Sequence, residues 1–147
     1  MIVYKLIHIY DVSDYMVPDI KHLGYFSDID KVQRSISFFA SLPGFSSYPT
    51  GFVVTSYDIN YTKKSNDYFV YELCCSIHDK NWNYEYENVI SVHATQKEAK
   101  DAKREFKLLN KMENGILNSK LCKDIWIDAR HVDEPSTFWN EGFVVEN

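Results

Sequence analysis

The chain has 147 residues, enough to bury roughly 70% of the surface its unfolded form exposes, so it needs no disulfide or metal staple. A composition of 45% hydrophobic and 25% charged residues excludes a disordered or fibrous chain, and no apolar run approaches the roughly 20 residues that cross a bilayer. The net charge of −5 is carried by the last 24 residues, where Asp124, Asp128, Asp133, Glu134, Glu141 and Glu146 face Arg130 alone; such a segment repels nucleic acid and attracts a basic partner.

The N-terminal Met1-Ile2-Val3-Tyr4-Lys5-Leu6 has no basic segment leading into an apolar run, so no signal peptide is expected. Residues 2–10 are rich in Ile, Val, Tyr and Leu on both faces, the pattern of a central strand. The loop at 11–19 opens on Asp11-Val12-Ser13-Asp14. These two carboxylates, ending a strand that reads Ile9-Tyr10-Asp11, are similar to the first strand of the VapD-type ferredoxin-like nucleases, in which a strand-end aspartate holds a metal. That resemblance implies a divalent-ion site at Asp11 and Asp14. It spans six residues only, and Pro18 blocks the helix entry that the nucleases require. A turn rich in Asp and Ser accounts for the same residues.

A second strand is expected at 20–26. Asp28 then stands where a helix N-cap belongs, with Val32, Ser35 and Phe39 forming one stripe and Pro43-Gly44 ending the helix. A third strand is expected at 52–59, and the polar residues 60–67 form a short link. The pattern then repeats at an offset of 67. Val70-Tyr71-Glu72-Leu73 echoes Val3-Tyr4-Lys5-Leu6, and Leu23, Val32 and Phe39 fall on Ile90, Ala99 and Phe106. The second copy reads as strands at 68–77 and 86–93, then a helix opened by the capping box Thr95-Gln96-Lys97-Glu98 and closed by Asn114-Gly115, then a strand at 122–130. The expected fold is therefore α+β. Residues 1–147 form a single domain of two β-β-α-β repeats (1–60 and 68–130), followed by an aromatic and acidic segment, 131–147. The repeats are expected to share one mainly antiparallel sheet of about six strands with both helices on one face.

Candidate chemistry is sparse. Cys74, Cys75 and Cys122 are odd in number and two are adjacent, which fits reduced thiols and a cytoplasmic setting better than a disulfide framework. His8, His22, His78, His93 and His131 lack zinc spacing, so neither a metal nor another cofactor is expected. No phosphate-binding glycine loop and no nucleophile motif occurs. Lys97, Lys100, Arg104, Lys107 and Lys111 make a basic stripe, but Glu98, Asp101 and Glu105 interleave, and a solvated helix face explains it better than a nucleic-acid track.

Two aromatic-glycine segments remain: Leu42-Pro43-Gly44-Phe45 leading into Tyr48-Pro49-Thr50-Gly51-Phe52, and Phe138-Trp139-Asn140-Glu141-Gly142-Phe143. Together with the preceding strand and capped helix they resemble a family of small bacterial domains of unknown function that carries "LPGF", "PxGF" and "WxEGF". The match covers residues 1–60 and 138–143, and this chain departs from the family by placing a second copy before its Trp-x-Glu-Gly-Phe. The resemblance implies an α+β fold and no particular activity. These rings either pack over a sheet edge or line a small-molecule pocket beside the 43–52 loop, and packing is favoured.

The high aromatic share of 16%, the acidity and the missing catalytic motifs together indicate a non-catalytic protein-binding protein. A bacterial immunity protein or inhibitor that neutralises a basic toxin fits this best. Asp124, Asp128, Asp133, Glu134, Trp139 and Glu141 are the expected contact residues. The alternatives are a metal-dependent nuclease or nucleic-acid module using Asp11 and Asp14, and a small-molecule sensor.

Overall fold

A computed structural model describes residues 1–10, 18–79, 84–113 and 120–145. The chain separates into two compact units, residues 1–67 with 131–147, and residues 68–130. The fold is α+β, with two helices and two three-stranded antiparallel sheets.

The first unit runs β1 (Ile2–Tyr10), β2 (Asp19–Phe26), α1 (Ile29–Ala40), a 3-10 turn (Phe45–Ser47) and β3 (Phe52–Asp58). Its sheet order is β2-β1-β3, so the apolar strand β1 is central as its composition demands. Helix α1 starts where expected: the Asp28 carboxylate accepts from the Lys31 N–H at 2.9 Å. Val32, Ser35 and Phe39 are its buried residues, the stripe read from the sequence. The helix stops at Ala40, short of Pro43-Gly44. The Ser41 hydroxyl donates to the Phe38 carbonyl at 2.7 Å, and a residue before proline, here Leu42, is pushed out of the helical region. Leu6, Leu23, Phe26, Val32, Phe39 and Phe45 form the buried core, and Tyr4, Ile36, Leu42, Phe52, Trp139 and Phe143 pack against it. Each fully buried side chain of this size contributes about 1.5–3 kcal/mol.

The second unit runs β4 (Phe69–Asp79), β5 (Tyr84–His93), α2 (Gln96–Glu113) and β6 (Lys120–His131), whose last residue belongs to the first unit. Its sheet order is β5-β4-β6. At the start of α2 the Glu98 N–H donates to Thr95 Oγ1 and Glu98 Oε2 accepts from the Ala94 N–H, both at 3.2 Å. The capping box therefore closes on the residue before Thr95. Asn114-Gly115, expected to end this helix, lies outside the described residues.

The single six-stranded sheet expected from the sequence is not what forms: the strands hydrogen-bond as two sheets of three. The reason lies in edges. Hydrophobic periodicity reports which strand is central in each copy, but not which outer edges join. Within each sheet the agreement with the sequence offset is close. Tyr4 faces Phe26 and Tyr71 faces His93; Leu6 faces Gly24 and Leu73 faces Ser91; Ile7 faces His22 and Cys74 faces Val89. All of these differ by 67, and both ladders shift register at the same place, with Leu23 and Ile90 as the extra residues.

Residues after β6 fold onto the first unit. Val132 makes a parallel bridge with Tyr25, Asp133 N–H donates to the Tyr25 carbonyl at 2.8 Å, and Ser136 N–H donates to the Leu23 carbonyl at 2.8 Å. This segment thereby covers the outer edge of β2.

Candidate functional site

The two aromatic-glycine motifs meet in the first unit. Phe143 N–H donates to the Pro43 carbonyl at 2.9 Å. Gly44 and Gly142 both adopt left-handed backbone, with φ of 82° and 78°, and neither has room for a side chain. A Cβ on Gly44 would lie 2.6 Å from the Phe143 ring, and one on Gly142 would run into the Pro43 backbone. Gly51 is constrained from the other side, since a Cβ there would lie 2.6 Å from His8 Nε2. Phe45 is fully buried and meets Phe143 edge-on at 4.9 Å between ring centres, with Phe52 at 5.9 Å and His8 at 4.9 Å. These rings pack against one another beside the 43–52 loop.

Inside this aromatic box sit two basic side chains that the motif reading missed. Lys21 is 1% exposed. Its ammonium lies 3.9 Å from the Phe143 ring centre, 5.0 Å from Trp139 and 5.9 Å from Tyr10. It donates to Asp19 at 2.5 Å, and that carboxylate is half exposed. The three rings replace part of the ammonium's lost hydration, and Asp19 balances its charge from the rim. The sequence signal is Asp19-Ile20-Lys21: residues i and i+2 of a strand share a face.

His8 is fully buried, and its Nε2 lies 2.9 Å from the Tyr48 carbonyl. A carbonyl only accepts, so Nε2 carries the proton and Nδ1 is the bare nitrogen; no partner for Nδ1 occurs among the described residues. Burial pushes the His8 pKa below its ordinary 6.5, outweighing the Tyr48 bond that favours the charged ring, and Lys21 lowers it further. A depressed folded-state pKa contributes stability that is complete above 6.5 and is lost as pH falls through the depressed value. The urea midpoint is therefore expected to fall between about pH 7 and about pH 5, and His8→Phe is expected to remove most of that slope. An unchanged slope in His8→Phe would contradict the assignment.

The expected contact residues have different fates. Asp133 does not serve as a free acid. Its backbone is left-handed at φ 70°, and its carboxylate accepts from the Ser27 N–H (2.8 Å), the Ser27 hydroxyl (2.7 Å) and the Lys31 ammonium (2.7 Å). Burial alone would raise its pKa, but these donors hold it below the ordinary 3.8. Asp133 is a clasp that fixes the C-terminal segment to the start of α1. Trp139 packs on the core cluster and over Lys21. Glu134 is 70% exposed and pairs with the His131 ring at 3.1 Å, while Glu141 is exposed. Between them Phe138 is 81% exposed, and Val144 beyond is 86% exposed.

Asp124 and Asp128 belong to the second unit. Asp124 is exposed; Asp128 accepts from Trp126 Nε1 at 3.1 Å and lies 3.5 Å from the Arg130 guanidinium. Arg130 Nε also donates at 2.8 Å to Glu72, a carboxylate that is 2% exposed. Burial pushes the Cys75 thiol up to about 12, which leaves it unreactive as a thiolate at neutral pH. Asp11 and Asp14, the alternative metal ligands, lie outside the described residues. Among the described residues no group of His, Cys, Asp and Glu is arranged to hold a metal ion, and no helix is long and apolar enough to cross a membrane.

No family model, curated protein or solved structure matches the chain.

Proposed function

We propose that this is a non-catalytic protein-binding protein whose contact face is the C-terminal segment of the first unit, with Phe138 at its centre and Glu134 and Glu141 beside it. The observation that carries the reading is the exposure of Phe138 on a segment held at both ends. Upstream it is tied by the Tyr25 and Leu23 backbone bonds and the Asp133 clasp, and downstream by Phe143 on Pro43. A large ring in water costs free energy unless a partner covers it, and a pre-fixed segment loses little entropy when it is covered. The flanking carboxylates favour a basic partner and speed encounter with it. Trp139 supports the face from beneath.

Within this class, an immunity protein or inhibitor that neutralises a basic toxin by stoichiometric binding is the particular reading. Its support is the acidity of the C-terminal segment beside the exposed Phe138 ring. The test is titration calorimetry of the chain against the basic product of a neighbouring gene. One-to-one binding is expected. Phe138→Ala is expected to weaken it at least tenfold, about 1.4 kcal/mol, through faster dissociation. Glu134→Lys with Glu141→Lys is expected to slow association and flatten its dependence on salt. Binding indifferent to both variants would remove this face from consideration.

A further inference from the structure

We infer that the outer edge of β3 is the seam of a two-fold homodimer, in which two copies pair antiparallel strands across Thr55 and join their three-stranded sheets into one of six. The phase of the β1–β3 ladder shows which backbone groups are free. Ile59 N–H donates to the Met1 carbonyl and the Met1 amine donates to the Ile59 carbonyl, both at 2.9 Å, so Met1 and Ile59 exchange both bonds. Ile9 N–H donates to the Gly51 carbonyl at 2.8 Å in the same register. Antiparallel ladders alternate, so Val53, Thr55 and Tyr57 turn their backbone groups toward β1. Phe52, Val54 and Ser56 turn theirs outward, and among the described residues of the first unit no backbone group meets them.

Folded chains ordinarily blunt such an edge with lysine, proline, a bulge or a covering segment. The outer edge of β2 is covered by residues 132–136. Strand β3, Phe-Val-Val-Thr-Ser-Tyr-Asp, carries no lysine, proline or bulge: its register with β1 is unbroken, and it has no charge before Asp58; among the described residues of the first unit no segment covers it. Val53, Val54, Thr55 and Ser56 are exposed in succession. The occupant follows from the strand's own sequence. A two-fold through Thr55 sets Val54 opposite Ser56 of the second copy, which pairs the outward groups reciprocally. It sets Val53 opposite Tyr57 and Thr55 opposite Thr55, a β-branched–aromatic pair and a hydroxyl pair of the kinds that stabilise sheets. Asp58 falls opposite Phe52, so no like charges meet. A net charge of −5 opposes self-association elsewhere on the chain, and the uncharged strand is where that repulsion is least. The interface is isologous and therefore closes at two copies.

Sedimentation equilibrium of the full chain across a dilution series is expected to show a concentration-dependent monomer–dimer equilibrium. Ser56→Pro deletes an outward N–H while leaving the β1 ladder intact, and it is expected to raise the dimer dissociation constant at least about tenfold. Val54→Lys, an ordinary edge protection, is expected to do the same and serves if the proline variant does not fold. Thr55→Cys is expected to give an intermolecular disulfide on mild oxidation, because directly opposed residues of a non-hydrogen-bonded pair lie within disulfide reach. Val53→Cys and the unaltered chain, with its own three cysteines, are expected not to crosslink. A chain that stays monomeric throughout, or a dimer indifferent to Val54→Lys and not captured by Thr55→Cys, would overturn the inference.

Discussion

Gly142→Ala is expected to destabilise the first unit by about 3 kcal/mol. Two costs combine. The left-handed backbone at residue 142, φ 78°, costs an L-residue about 1–2 kcal/mol. The added methyl also runs into the carbonyl oxygen, nitrogen and carbonyl carbon of Pro43, and backbone yields less readily than a side-chain tip. Relief requires the 138–143 segment to lift from the 43–45 turn. That lifts Phe143 from Phe45 and from the Lys21 ammonium. Urea denaturation followed by aromatic fluorescence measures the loss. Glu141→Ala, one residue away and exposed, is expected to stay within about 0.5 kcal/mol of the unaltered chain. A Gly142→Ala effect below about 1 kcal/mol would mean that the two motifs are not interlocked.

Arg130→Met is expected to cost the second unit about 3 kcal/mol. Glu72 is 2% exposed on the central strand of its sheet, and the Arg130 guanidinium 2.8 Å away is a charge partner for it. Removing one member of a buried pair costs about 3–5 kcal/mol because the remaining charge stays desolvated. The lower end applies here, since Arg130 is 42% exposed and water reaches it. Glu72→Gln combined with Arg130→Met is expected to recover most of the loss, because a neutral amide tolerates the site without a cation. A double variant no more stable than Arg130→Met alone would show that Arg130 acts by packing its stem rather than by its charge.

These two variants probe different kinds of residue, and the difference bears on what was legible in the chain. Gly142 stands in a motif visible by eye, and left-handed glycines flanked by rings are a local signature. Arg130 and Glu72 lie 58 positions apart, and nothing in either neighbourhood names the other. Lys21 illustrates the same limit. Asp19-Ile20-Lys21 places a carboxylate and an ammonium on one face of a strand, but the rings that enclose the ammonium come from β1 and the C-terminal segment. In the sequence Asp133 is one acid among six. Its conversion into a clasp depends on Ser27 and Lys31, residues more than one hundred positions earlier.

The sequence by itself determined the local elements and their order. Short apolar runs, the caps at Asp28 and Thr95 and the stripe through Val32, Ser35 and Phe39 act over a few residues, so they are written where they act. The offset of 67 related the two copies, while the pairing of strands within each sheet came from the structure. Only the tertiary structure decided that there are two sheets of three strands, that the aromatic motifs close on Lys21 and His8, and that Phe138 is left in water. Those outcomes depend on which edges and rings meet across long stretches of chain, and burial is a property of the assembled surface, not of any residue's neighbours in sequence.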